Sequence, residues 1–145
     1  MKIRPAKKQD VAQILGLLNS AKELKTSKDA VFDADYVASY LTNPMNVALV
    51  CEEGSKIIGV LTAEIWDDKS YAFINDLVVA SGLRQKGVGS SLYRDFEAWC
   101  KSRSLGKINF LVQTTNEAML RWSQKQGFSK GHSFFFYEKN LKPPA

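Results

Sequence analysis

Leu77–Trp99 reads LVVASGLRQKGVGSSLYRDFEAW, and the reading of this stretch decides the fold. A run of strand-forming residues breaks into a basic, glycine-bearing loop, which opens into a helical pattern. In that pattern Val88, Leu92, Phe96, Trp99 and Cys100 share one face, with Arg94, Asp95, Glu97 and Lys101 outside. A helix N-terminus presents unpaired N–H groups and about half a unit of positive charge, which suits a phosphate. Gly87 and Gly89 lack Cβ atoms, so backbone can approach an anion closely. Arg84 and Lys86 add charge, and an arginine can hold a phosphate with two donors. From these residues alone, a solvated basic turn is the competing reading.

Two familiar phosphate loops are excluded. A Walker A loop needs Lys-Ser or Lys-Thr after its second glycine, but Val88-Gly89 follows Gly87. The glycines at 82, 87 and 89 do not fit G-x-G-x-x-G either. What remains is R-x-x-G-x-G, Arg84–Gly89, between a strand and a helix.

Outward from this loop, three strands are expected at Val47–Glu52, Lys56–Trp66 and Tyr71–Val79, separated by the hairpin turns EEGS and DDKS. Lys2–Arg4 fits a first strand. Asp10 stands at an N-cap position before Val11, Ile14, Leu15 and Leu18, which recur at helical spacing. A second helix covers Ala34–Leu41. After Leu105-Gly106, Ile108–Gln113 reads as a strand, Glu117–Gln126 as a helix stopped by Gly127, and Ser133–Glu138 as a final strand. The order βααβββαβαβ is an α/β layout with a mixed sheet.

At 145 residues the chain is expected to form one domain, 1–145. Its two cysteines, Cys51 and Cys100, lie far apart in apolar contexts, so buried free thiols are expected rather than a disulfide. With His132 as the one histidine, no metal site is expected. The N-terminus has no signal-peptide pattern and no apolar run is long enough to span a bilayer, so a cytoplasmic location and no membrane partner are expected. Residues 1–83 carry nine Lys and Arg against eleven Asp and Glu, whereas 84–145 carry eleven against four. Such asymmetry suggests an anionic ligand for the second part and a cationic one for the first. The basic residues are dispersed and no aromatic-basic ribonucleoprotein motif accompanies them, so nucleic acid is not the expected partner.

Two motifs together give a family resemblance. Val79–Gly89 matches V-x-x-x-x-R-x-x-G-x-G, and NEAMLRWSQKQGF, Asn116–Phe128, matches an asparagine followed by a helix ending in G-F. With Ile3, Arg4, Ala6 and Asp10 at the N-terminal strand and helix, nearly the whole chain resembles the GNAT family of N-acetyltransferases. The resemblance implies a single domain with a mixed, mostly antiparallel twisted sheet flanked by helices, its fourth and fifth strands splayed at a bulge.

The resemblance also implies acetyl-CoA as cosubstrate. Backbone groups of Leu77, Val78 and Val79 would hold the pantetheine arm. Arg84 and the amides of Gln85, Lys86, Gly87, Val88, Gly89 and Ser90 would hold the pyrophosphate, with Asn116 near the pantetheine. The reaction implied is direct acetyl transfer to a primary amine, for which a base must take a proton. Asp76 is the candidate base or substrate anchor, with a structural carboxylate as the alternative. Strand alternation puts it on the face opposite Asn75. Where many relatives place a tyrosine acid, this chain has Ser123, a poor proton donor that could still hydrogen-bond the sulfur. Water, Tyr137, Tyr93 or an unassisted thiolate are the other routes.

Substrate contacts in such a fold come mainly from the first two helices, the strand 3–4 hairpin and the C-terminal strands. These regions hold Asp29, Asp33, Asp35, Glu64, Asp67 and Asp68, which favours a small cationic amine unless they are an ordinary solvated face. Alternatives are a protein N-terminal or lysine acetyltransferase and a non-catalytic acyl-CoA-binding sensor. If the apolar SFFFYEK strand lies at an edge, it favours a second copy of the chain, making a homodimer a candidate.

Overall fold

The structure is a computed structural model that describes residues 1–21, 31–66, 68 and 70–142. Five strands form one sheet in the order β1-β2-β3-β4-β5. They are β1 (Lys2–Pro5), β2 (Asn46–Glu53), β3 (Lys56–Trp66), β4 (Tyr71–Val79) and β5 (Lys107–Phe110). Successive pairs run antiparallel except β4 with β5, which is parallel. The hairpin turns after β2 and β3 force their neighbours antiparallel, whereas the α3 crossover permits a parallel β5.

Helices cover both faces. α1 (Val11–Ser20) and α2 (Ala34–Thr42) lie on one, where Ile14, Leu18 and Val37 pack against Val50, Ile57, Val60 and Val78. α3 (Val88–Ser102) lies on the other, where Val88, Leu92, Phe96 and Cys100 pack against Cys51, Leu61, Ala63, Ala72 and Ile74. Gly59 allows this seat: a Cβ there would stand 2.9 Å from Val88 Cγ1 and 3.0 Å from Leu92 Cδ1. α4 (Glu117–Lys125) follows β5. Both cysteines are free and buried.

Asp10 immediately precedes α1, as expected, but its carboxylate turns back from the helix. It accepts from the Lys7 N–H at 2.7 Å and from the Arg4 guanidinium at 2.7 and 3.0 Å, and Arg4 also reaches Glu52. This pairing holds the Asp10 carboxyl below its usual range.

Two expectations are corrected. The final strand at Ser133–Glu138 is not formed: residues 128–142 carry no helix or strand. β5 also ends at Phe110 rather than Gln113. The cause lies in β4, where Thr62 pairs with Asp76 but Ala63 pairs with Ile74, leaving Asn75 as an extra bulged residue. The bulge bends the strand. The β4–β5 register accordingly stops at Ile74 opposite Phe110, and the two strands part there.

Candidate active site

The bulge sets the geometry of the site. Ala72 and Ile74 face α3, whereas Val78 faces α1 and α2, so the side-chain parity of β4 inverts at Asn75. As a result Asn75 and Asp76 both reach the α2 side, and the expectation of opposite faces is corrected. The extra residue uses up one step of the alternation.

On that side a chain of hydrogen bonds joins α2 to the sheet. Tyr36 Oη donates to Asp76 Oδ2 at 2.7 Å, and Thr62 Oγ1 donates to the same oxygen at 2.5 Å. Tyr36 and Tyr40 hydroxyls lie 3.1 Å apart. Because the Tyr36 hydrogen goes to Asp76, Tyr40 is the donor between the two phenols. Tyr40 in turn accepts from Asn75 Nδ2 at 2.6 Å. Every hydrogen in the series therefore points toward Asp76.

Asp76 is only 3% exposed. Burial pushes its carboxyl above the usual range, while the hydroxyls of Thr62 and Tyr36 oppose that rise. Burial also raises both phenols, and the Asp76 charge adds to the rise. Tyr36, Tyr40 and Thr62 were not among the sequence candidates. Helical spacing alone marks Tyr36 and Tyr40 as neighbours, and nothing local ties them to β4.

On the other side of the parting, β4 beyond Ile74 has no partner toward β5. A cleft of about 350 Å³ opens there. Its walls include Asn75 and Leu77–Val79 of β4, the loop at Arg84, Gln85 and Gly87, and Gly89 and Ser90 of α3. Phe110–Gln113 and Asn116, Met119 and Trp122 form the facing wall. Nine of the expected binding residues, namely Leu77, Val78, Val79, Arg84, Gln85, Gly87, Gly89, Ser90 and Asn116, thus border one cleft. Lys86 is exposed and Val88 is buried; neither borders it.

The loop's backbone is left-handed at two positions just before α3. Gln85 and Gly87 have φ of 64° and 87°, and the latter precedes α3 without a side-chain cap. Left-handed residues in such a turn direct successive N–H groups toward one point. The first-turn amides of the 15-residue α3 lack intrahelical partners. A left-handed glutamine is a backbone strain of about 1–3 kcal/mol, of the kind that collects at ligand clamps.

α4 is fastened to this loop. Trp122 Nε1 and Gln126 Nε2 both donate to Ser90 Oγ, at 3.0 and 3.3 Å. Asn116 caps α4 by accepting from Met119 N–H. Phe128 packs its ring against Phe110, Tyr93 and Trp122, so the G-F end of the second motif ties α4 to β5 and α3.

Ser123 does not border the cleft. Its hydroxyl donates to the Met119 carbonyl one turn back at 2.7 Å. Tyr93 is buried, with its phenol pushed up to about 12, and Tyr137 is exposed. Neither tyrosine borders the cleft.

Among the acidic candidates, Asp33 caps α2 by accepting from Tyr36 N–H, a structural role. Asp35 and Asp68 are exposed and Glu64 is half-buried. Asp29 and Asp67 lie outside the described residues.

Comparison with known proteins agrees with this architecture. A model of the acetyltransferase (GNAT) family matches residues 11–128, and the chain belongs to that family. An aminoglycoside 6'-N-acetyltransferase from Acinetobacter haemolyticus superposes with a TM-score of 0.77 at 20% identity, covering 98% of this chain and 100% of that one. A ribosomal-protein-alanine N-acetyltransferase from Brucella melitensis gives 0.78 at 19% identity, covering 91% and 86%. The protein smu.2055 of Streptococcus mutans gives 0.79 at 26% identity, covering 89% and 84%. Among the described residues no helix is long and apolar enough to cross a membrane.

Proposed function

We propose that this chain transfers an acetyl group from acetyl-CoA directly to a primary amine on a small cationic molecule. The observation that carries this reading is the cleft where β4 parts from β5, with the uncapped N-terminus of α3 at its border. An extended arm can pair with the edge of Leu77–Val79 that β5 leaves uncovered, where the Val79 carbonyl accepts from Arg84 Nε at 3.4 Å. The amides of Gln85 through Ser90 then receive the pyrophosphate, Val88 by its backbone alone, with Arg84 and Lys86 adding charge. Ser90 accepts two hydrogen bonds, from Trp122 of α4 and from Gln126 just after it, which leaves its own hydrogen for an acceptor. Asn116 uses its oxygen on Met119, leaving its amide N–H groups to donate to the pantetheine.

Bound acetyl-CoA supplies an activated thioester carbonyl, and this chain's residues position the amine and move its proton. The amine's N–H bond breaks as its proton passes, through water beside Asn75 at the cleft wall, to Tyr40 Oη, which accepts from the Asn75 amide. Tyr40 gives its hydrogen to Tyr36, and Tyr36 gives its own to Asp76, which ends as a neutral carboxylic acid. A buried carboxyl raised in pKa is a better acceptor than an exposed one. The departing CoA thiolate needs no proton from Ser123, whose hydrogen is directed at Met119.

Support for a cationic acceptor comes from the carboxylates of Asp35, Glu64 and Asp68 and from aminoglycoside acetyltransferases among the similar folds. One second reading has an observation behind it. No tyrosine borders the cleft, which favours a non-catalytic acyl-CoA sensor.

Following thiol release from acetyl-CoA across polyamines, aminoglycosides, amino acids and peptides separates the readings. Release with small polycations supports the proposal. Release with peptides alone moves the acceptor to protein amines, and tight binding without release on any amine favours the sensor.

A further inference from the structure

Thr62 of β3 stands beside the bulge, and its register partner on β4 is Asp76, whereas the next pair joins Ala63 to Ile74. Without the extra residue, Thr62 would stand opposite Asn75 instead. The bulge therefore delivers a carboxylate, rather than an amide, to the threonine. Thr62 is 2% exposed, and its β-branched side chain has little freedom at χ1, so packing sets the place of its hydroxyl. That hydroxyl donates to Asp76 Oδ2 at 2.5 Å, the same oxygen that takes the Tyr36 hydrogen. Asp76 Oδ1 has no partner among the described residues, so these two hydroxyls alone orient the carboxylate.

No cation holds the charge in place. α2 presents the phenols of Tyr36 and Tyr40, and α1 brings Ile14 and Leu18 to the same face of the sheet. Among the described residues no ion pair includes Asp76. Burial therefore works to protonate the carboxyl, and of the two hydroxyls that oppose it Thr62 has the larger effect. The balance matters, because a carboxyl that is already protonated cannot take a hydrogen from Tyr36.

We infer that Thr62 is a positioning residue, which holds Asp76 as a carboxylate with Oδ2 turned to Tyr36. It does not border the cleft, and its own hydrogen is committed to Asp76, so it lies outside the route from the amine and acts through Asp76. Its part in turnover rests on the proposed reading of Asp76 as the final proton acceptor. Its hold on the carboxylate does not, and the two are measured separately.

Thr62→Val keeps the shape and removes the hydroxyl, whereas Thr62→Ser keeps the hydroxyl. The Asp76 carboxyl is titrated by carbon NMR of the full chain, its signal assigned by its loss in Asp76→Asn. In parallel, kcat is followed against pH with acetyl-CoA and spermidine. Losing a hydrogen bond to a charged group is expected to raise the Asp76 midpoint by about one to two pH units in Thr62→Val. Thr62→Ser is expected to stay within about half a unit of the native chain, and the kcat profile to move to higher pH with the midpoint. Thr62→Ala, which removes the hydroxyl without adding a methyl, replaces valine if that variant does not fold. A midpoint unchanged in the hydroxyl-free variant, or a shift that serine fails to reverse, overturns the inference whatever the rates do. Midpoints that move as expected beneath an unmoved kcat profile uphold the hold on Asp76 and overturn the proton route instead.

Discussion

Tyr36 Oη donates to Asp76 Oδ2 at 2.7 Å, and this bond joins a helix to a strand forty positions later in the chain. It fixes the direction of every other hydrogen in the series from Asn75 through Tyr40. Tyr36→Phe keeps the ring and its packing on Phe32 but removes that donor. Turnover is expected to fall about 10²-fold or more, the usual contribution of a positioned proton-transfer group. The melting temperature is expected to drop only modestly. Steady-state kinetics beside a thermal melt check this, and unchanged turnover would remove Tyr36 from the proton route.

Asp76 makes a pH prediction whose sign follows from burial. Its folded carboxyl titrates above its unfolded value of 3.8. Its contribution to stability is therefore full below that value and is lost as pH rises through the raised folded range. Asp76→Asn carries no such titration, so the native chain should lose stability relative to the variant as pH climbs from 4 upward. Melting both proteins across that range tests it. A parallel dependence, or a native chain that gains on the variant, contradicts the raised carboxyl. In turnover the same variant should be slowed most where the amine is largely protonated, and an unaltered pH profile would remove Asp76 from the base role.

Gly87 and Gly82 provide a matched pair. Both have φ above 80° and open space at the Cβ position, but only Gly87 borders the cleft. Alanine at either position carries a similar backbone cost, of order 1 kcal/mol. Calorimetry with CoA should find affinity lowered about tenfold or more for Gly87→Ala and nearly unchanged for Gly82→Ala. Equal effects would mean that strain alone, and not the anion seat, is being measured.

Ser123→Ala tests the leaving group. The hydroxyl bonds its own helix backbone, so turnover should stay within about twofold and stability within a few tenths of a kcal/mol. A loss of tenfold in turnover would return Ser123 to the chemistry.

These predictions divide along what the sequence could carry. The proposed anion seat is local: a strand, a left-handed glycine and a helix start occur within a dozen residues, so spacing reveals them. The asparagine-to-G-F helix is local for the same reason. The proton series is not local. It needs Tyr36 on α2, Thr62 on β3 and Asp76 on β4 to meet, and the register that brings them together depends on one bulged residue. Period-two alternation across Asn75 gives the wrong face for its neighbour, because a bulge leaves no mark in a run such as FINDLVV. The run SFFFYEK shows the opposite failure. Its composition announces a strand, but a strand also needs an edge to pair with, and the chain's own body does not take it up.

The proposed reaction is tested most directly by a single turnover with acetyl-CoA labelled in its acetyl group, mixed with a polyamine and quenched for mass analysis. The label is expected on a nitrogen of the polyamine, with free CoA formed in equal amount and the rate reduced by Asp76→Asn. Acetyl-CoA that binds tightly and is recovered intact, with no label on any amine of the panel, would contradict the account.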